Sequence, residues 1–189
     1  SVVPPMVVAV GGIVASGKST IAERVGSEIK APVMGSDRTR KSLLGVEPTT
    51  SVRSAPLPGG YSLELTEQVY DELFRRARSV LQSKRPVLID ASFRSRAHRD
   101  DARQLAREAG VSYLFVECRV PSDVTRERLA QRDREPSVSD ARLDLLDEFV
   151  ASWEPVDELE PSEHLILDTS GSIDANTELV WSAVSNPEG

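Results

Sequence analysis

The chain carries a single cysteine, Cys118, among 189 residues. An internal disulfide is therefore excluded. No apolar run approaches the length needed to span a membrane, and no secretory pattern is present. A reducing, cytoplasmic location with no membrane partner is the default expectation. No basic excess is present either. The net charge is −7, which argues against a surface built for nucleic acid, although a local basic groove stays open. Internal repeats are absent. Cys118 ends the apolar run Tyr113-Leu114-Phe115-Val116-Glu117-Cys118, the setting of a buried strand thiol rather than a nucleophile. The length suits one α/β domain with a real core, taken here as residues 1–189. The chain opens on Ser1 rather than Met, the expectation for a processed chain or a domain cut from a longer protein.

Against that background stands Gly12-Ile13-Val14-Ala15-Ser16-Gly17-Lys18-Ser19. It fits the G-x-x-x-x-G-K-[ST] pattern of a phosphate-binding loop. The run Met6-Val7-Val8-Ala9-Val10 before it has the composition of a buried parallel strand. After it, Ile21, Ala22, Val25 and Ile29 recur at helical spacing. Strand, loop and helix together make the motif physical. Glycines let successive N–H groups face one point, and the helix N-terminus adds positive potential there. Gly12, Ala15, Ser16, Gly17 and Thr20 are expected to line the phosphates, Lys18 to reach the β- and γ-phosphates, and the Ser19 hydroxyl to bind Mg²⁺. The chain thus reads as a nucleoside-triphosphate binder.

Short apolar runs alternate with amphipathic segments. Strands are expected near 6–11, 32–35, 86–90, 111–118 and 164–168. Helices are expected near 18–30, 37–44, 62–84, 95–109, 121–133, 138–151 and 172–185. This alternation predicts a parallel five-stranded sheet with helices on both faces. Residues 45–61 hold three prolines and three glycines, a substrate-side insertion or a flexible surface loop. Residues 185–189 read as a frayed tail.

Three further stretches carry chemistry. Asp37, in Gly35-Ser36-Asp37-Arg38-Thr39-Arg40, follows the second strand. Ligands of open parallel sheets bind at that edge. A carboxylate there can take the proton of an attacking hydroxyl; equally, Ser36 or Asp37 can serve as a helix N-cap. Arg40 lies three residues on, on the same helical face, where it can hold an anionic group or orient the carboxylate. Asp90 closes the apolar strand Pro86-Val87-Leu88-Ile89-Asp90 and resembles a Walker B carboxylate, a metal-site or acceptor-site residue. Arg94 and Arg96 follow, to serve substrate or solvate a helix; Arg99 is expected to be solvated. In Val120 to Arg134, Arg128 and Arg132 are i and i+4 on one face. After a phosphate loop this reads as a lid over about 121–137 that brings cations to the transferring group; the alternative is a salt-bridged surface helix.

Together these stretches resemble the P-loop kinases of the polynucleotide-kinase, zeta-toxin, chloramphenicol-phosphotransferase and gluconate-kinase group. The texture is most similar to a kinase domain often fused behind an aminoglycoside-phosphotransferase-like domain. The shared text is Ser36-Asp37-Arg38-Thr39-Arg40-Lys41, Gly45-Val46-Glu47-Pro48-Thr49 and the Ile-Asp-Ala-Ser-Phe strand end. The resemblance implies a three-layer P-loop NTPase fold, adenylate-kinase-like, with a lid. It implies ATP and Mg²⁺ as cofactors, Asp37 as general base, Arg40 on the acceptor, and Asp90 at the acceptor or metal site. It also implies Arg128 on adenine, Arg132 at the β/γ-phosphates, and Thr169 in the loop bordering the base. The absence of an Asn-Lys-x-Asp guanine signature agrees with ATP.

The leading expectation is an ATP-dependent kinase acting on a hydroxyl of a small molecule. The runner-up is a polynucleotide 5′-hydroxyl kinase, with Arg38, Arg40, Lys41, Arg94 and Arg96 as its basic channel. A third reading, a nucleotide-binding switch, would have no use for Asp37.

Overall fold

The computed structural model describes residues 2–13, 16–45, 63–132 and 146–186, with the side chain of Arg132 excepted. Residues 46–61 of the expected 45–61 insertion, the lid residues 133–137, the first part of the 138–151 helix, Ala15 and residues 187–189 of the expected tail lie outside the described residues.

Strand β1 (Met6–Gly12) is buried along its whole length. Its β-branched residues alternate between two cores, as the two-residue period of a strand requires. Val7 and Ala9 enter one core, with Leu73, Phe93 and Phe115. Met6, Val8 and Val10 enter the other, with Ile21, Val25 and Val180. A strand apolar on both faces is the central strand of a covered parallel sheet. The sheet has five strands in the order β2-β3-β1-β4-β5, every neighbouring pair parallel. The other strands are β2 (Val33–Gly35), β3 (Val87–Asp90), β4 (Ser112–Arg119) and β5 (His164–Asp168). The strand expectations hold to within a residue.

Helix α1 (Lys18–Ile29) buries Ile21, Ala22, Val25 and Ile29, the expected stripe. With α7 (Ile173–Ser185) it covers one face of the sheet. Helices α3 (Leu63–Gln82) and α4 (Arg96–Ala109) cover the other. Helix α2 (Ser36–Leu44) follows β2 directly, and α5 (Ser122–Arg132) follows β4. Residues 146–151 are helical and form α6. No helix among the described residues is long and apolar enough to cross a membrane.

Two expectations are corrected. Neither Ser36 nor Asp37 is an N-cap. The cap of α2 is Gly35, without a side-chain hydrogen bond, and Asp37 lies inside the first turn. Arg99 is not solvated. Its side chain has no exposed surface and pairs with Glu158, Nε to Oε1 at 2.6 Å. The reason is legible in α4: Arg99 shares a face with the buried Ala102 and Ala106, so the helix must point it inward.

Candidate active site

The C-terminal ends of β1, β3 and β4 meet around the glycine loop. Gly12 ends β1 with φ 154°. A Cβ there would lie 2.6 Å from the Cys118 carbonyl and 2.7 Å from Ser16 Oγ, so only glycine fits. Its N–H donates to Ser92 O at 3.0 Å, fastening the start of the loop to the segment after β3. Gly17, at φ 80°, is the left-handed N-cap of α1. Lys18, Ser19 and Thr20 form the first turn, with their N–H groups at the positive end of the helix. The Ser16 hydroxyl is buried and has no hydrogen-bond partner among the described residues.

Asp90 pairs in register with Val10 on one side and Gly35 on the other. That places it between the glycine loop and the start of α2, beside Gly35, which lies two residues before Asp37. Its Oδ1 is shielded from solvent and unpartnered among the described residues. Burial raises the Asp90 pKa, against the Lys18 charge and a hydrogen bond from Ser19; the charges of Asp37 and Glu23 push it further up. Lys18, Ser19 and Asp37 thus all act on Asp90 at one sheet edge. An unpartnered buried oxygen beside a serine hydroxyl suits a hard divalent cation held by few protein groups and by phosphates.

Across the loop, Arg128 of α5 donates from Nη2 to Thr169 O at 3.1 Å. Its Nη1 would lie 3.7 Å from a Cβ on Gly17. Thr169 donates its hydroxyl to Ser16 O, and its N–H reaches Arg119 O at 3.0 Å. Ile13 packs with Leu129 of α5 and Leu146 of α6.

On the β2–β3 side, Arg40 is buried. Arg94 donates to Ser152 Oγ at 3.2 Å and lies 4.9 Å over the Phe149 ring. Both cations act on the buried Tyr70 phenol. Burial raises the Tyr70 pKa, opposed by hydrogen bonds to Ser92 and Phe93 and by the charges of Arg94 and Arg40. Arg96 is exposed and pairs with Asp100 and Asp157. Cys118 is buried under the loop, and desolvation pushes its thiol up to about 12. It is the buried strand thiol expected from the sequence.

Sequence reasoning missed Tyr70 and Ser92, and misread Arg99. The residues after an Asp-terminated strand were the available signal, since such a segment must be fixed against the loop.

A parallel sheet with helices on both faces and a glycine loop between β1 and α1 define a P-loop nucleotide-binding fold. The chain belongs to the AAA domain family, which it matches over residues 7–156. The uncharacterized protein Rv2004c of Mycobacterium tuberculosis is 31% identical over 123 residues, covering 65% of this chain and 25% of that protein. A Mycobacterium bovis protein, Mb2027c, matches to the same extent. The matched segment spans about a quarter of the length of these curated relatives. Among solved structures, an APS kinase of M. tuberculosis in complex with AMPPNP and APS has a TM-score of 0.69 at 21% identity, covering 96% of this chain and 98% of that one. A sugar kinase from Janibacter gives 0.68 at 23%, covering 96% and 95%. A gluconokinase from Sinorhizobium meliloti gives 0.67 at 19%, covering 98% and 94%. At these identities the likeness is one of fold: a kinase-like P-loop domain.

Proposed function

We propose that the chain is an ATP-dependent kinase that transfers the γ-phosphoryl group to a hydroxyl of a small molecule. The observation that supports this reading is that Asp90 lies in register with Val10 and Gly35 at the end of β3, where Lys18, Ser19 and Asp37 all act on it. Simple nucleotide binding needs the loop and Lys18; a second carboxylate acting on Asp90 is what transfer adds.

In this reading the phosphates lie in the loop from Gly12 to Thr20, Ala15 among its residues, against the N–H groups at the start of α1, while the Gly12 N–H stays on the Ser92 carbonyl; Lys18 neutralises them. Ser19 and Asp90 would hold Mg²⁺, which would supply positive charge to offset that of the phosphates. Asp37 accepts the proton of the acceptor hydroxyl as the phosphoryl group moves. Arg40 and Arg94 bind the acceptor. Arg128 and Thr169 border the nucleotide base, and Arg132 supplies charge at the transferring group. The fold hosts many acceptors, so the acceptor is a matter for experiment.

The test is incubation with Mg²⁺ and γ-labelled ATP against pooled hydroxyl metabolites, antibiotics and a 5′-hydroxyl oligonucleotide. Label in a small-molecule pool supports the proposal. Label on the oligonucleotide replaces it with the polynucleotide reading. Release of phosphate alone, unchanged in Asp37→Asn, overturns transfer and leaves a nucleotide switch.

A further inference from the structure

Among the described residues of the site, the turn after β3 holds the one left-handed residue that is not a glycine. Phe93 has φ 48°. L-residues avoid this region because Cβ crowds the following carbonyl. Such a conformation persists only where its surroundings over-determine it, and strain of this kind gathers at functional sites.

The surroundings of Phe93 do so from both sides. Its N–H donates to Tyr70 Oη at 3.0 Å. Its carbonyl accepts from Arg99 Nη1 at 2.9 Å. Its ring is fully buried, edge-on to Tyr70 at 5.5 Å and to Phe115 at 5.9 Å. Both clamping groups are themselves fixed. His98 stacks on Tyr70 at 3.6 Å, and its Nε2 lies 2.8 Å from Glu67. Arg99 also reaches the Arg94 and Pro155 carbonyls, at 3.3 and 3.2 Å, and the Glu158 carboxylate.

The turn decides where Ser92 points. The Ser92 carbonyl accepts the Gly12 N–H at 3.0 Å, and its Oγ lies 3.3 Å from Tyr70 Oη. Ala91 N–H, next to Asp90, donates to Val10 O at 3.2 Å. One strained turn therefore sets both the first residue of the phosphate loop and the carboxylate at the end of β3.

We propose that Tyr70 and Arg99 are positioning residues that hold Phe93 left-handed and thereby register Asp90 against the phosphate loop. The part of this inference that concerns turnover rests on the kinase reading above; the part that concerns registration does not. Both residues act through the Phe93 turn, so the effect falls on geometry, where small displacements are costly.

Tyr70→Phe removes the hydroxyl and keeps the ring stack. MgATP turnover, AMPPNP affinity, thermal midpoint and amide exchange at Gly12 are measured on the same protein. Turnover is expected to fall about 10- to 100-fold, with a much smaller change in AMPPNP affinity. Exchange at Gly12 is expected to accelerate while Val8 and Val10 in the β1 ladder keep their protection. Arg99→Lys keeps a charge beside Glu158 and loses the Nη1 hydrogen bond to the Phe93 carbonyl; it carries the same expectation should the tyrosine variant fold poorly. Wild-type turnover with unchanged Gly12 exchange overturns the inference. So does a turnover loss matched by loss of folded protein. If the wild-type protein turns over no MgATP, the kinase reading fails, and Gly12 exchange alone decides this inference.

Discussion

Thr169 donates its hydroxyl to the carbonyl of Ser16, joining the turn after β5 to the phosphate loop across 153 positions of sequence. The same oxygen lies 3.2 Å from the Arg119 carbonyl, so one hydroxyl bridges the ends of two chain segments. Thr169→Val keeps the shape and leaves a buried carbonyl unpaired, a loss of about 1–3 kcal/mol. The expected outcome is a lower thermal midpoint and weaker AMPPNP binding, read by calorimetry.

Asp37 sits inside α2, whose cap is the Gly35 backbone. Its carboxylate is therefore not needed to hold the helix start. Asp37→Asn is expected to leave the thermal midpoint and AMPPNP affinity in place, while phosphoryl transfer falls about 10²- to 10⁴-fold. Unchanged transfer removes Asp37 as the base.

Arg132 is expected to matter chiefly when charge develops on the transferring group. Arg132→Ala should lower kcat by about 10²-fold with little change in the thermal midpoint. Loss of folded protein with normal residual activity would favour the surface-helix alternative.

Arg99 and Glu158 form a buried ion pair with exposures of 0% and 2%. Replacing Arg99 by Met leaves the carboxylate uncompensated and frees the carbonyls of Phe93, Arg94 and Pro155. The expected cost is about 3–5 kcal/mol, measured by urea unfolding.

The same pair sets an acid limit. Burial raises the Glu158 pKa, but the hydrogen bonds and charge of Arg99 outweigh it, so the carboxyl titrates below its ordinary value of 4.5. A depressed carboxyl stabilises the fold fully above its unfolded pKa and loses that contribution as pH falls through the folded value. Glu158→Gln is expected to flatten the decline in stability below about pH 4.5. A decline of unchanged slope would assign the acid limit to other carboxylates.

Much of this molecule was legible because local chemistry and global fold agree. The β1 run, the glycine loop and the α1 stripe each announce themselves within a dozen residues, and Asp90 is marked by the strand it ends. The misreading of Arg99 has a definite cause. A charged residue on a helix is ordinarily solvated, and its partners at 155 and 158 come from a segment far along the chain. Tyr70 was hidden for a similar reason: its hydroxyl acts on a turn 23 positions away, and helical spacing marks it only as a core ring. Pairings of this kind depend on which strands lie side by side, which periodicity does not encode.

The strand order has a consequence for how the chain is made. β1 pairs only with β3 and β4, so its apolar length has no sheet neighbour until Val87 and then Ser112 emerge during synthesis. An unpaired, β-branched segment waiting that long is an aggregation hazard in the nascent state, and its late, non-local closure favours slow folding. The centre of the finished sheet is thus made before either of its neighbours and satisfied late.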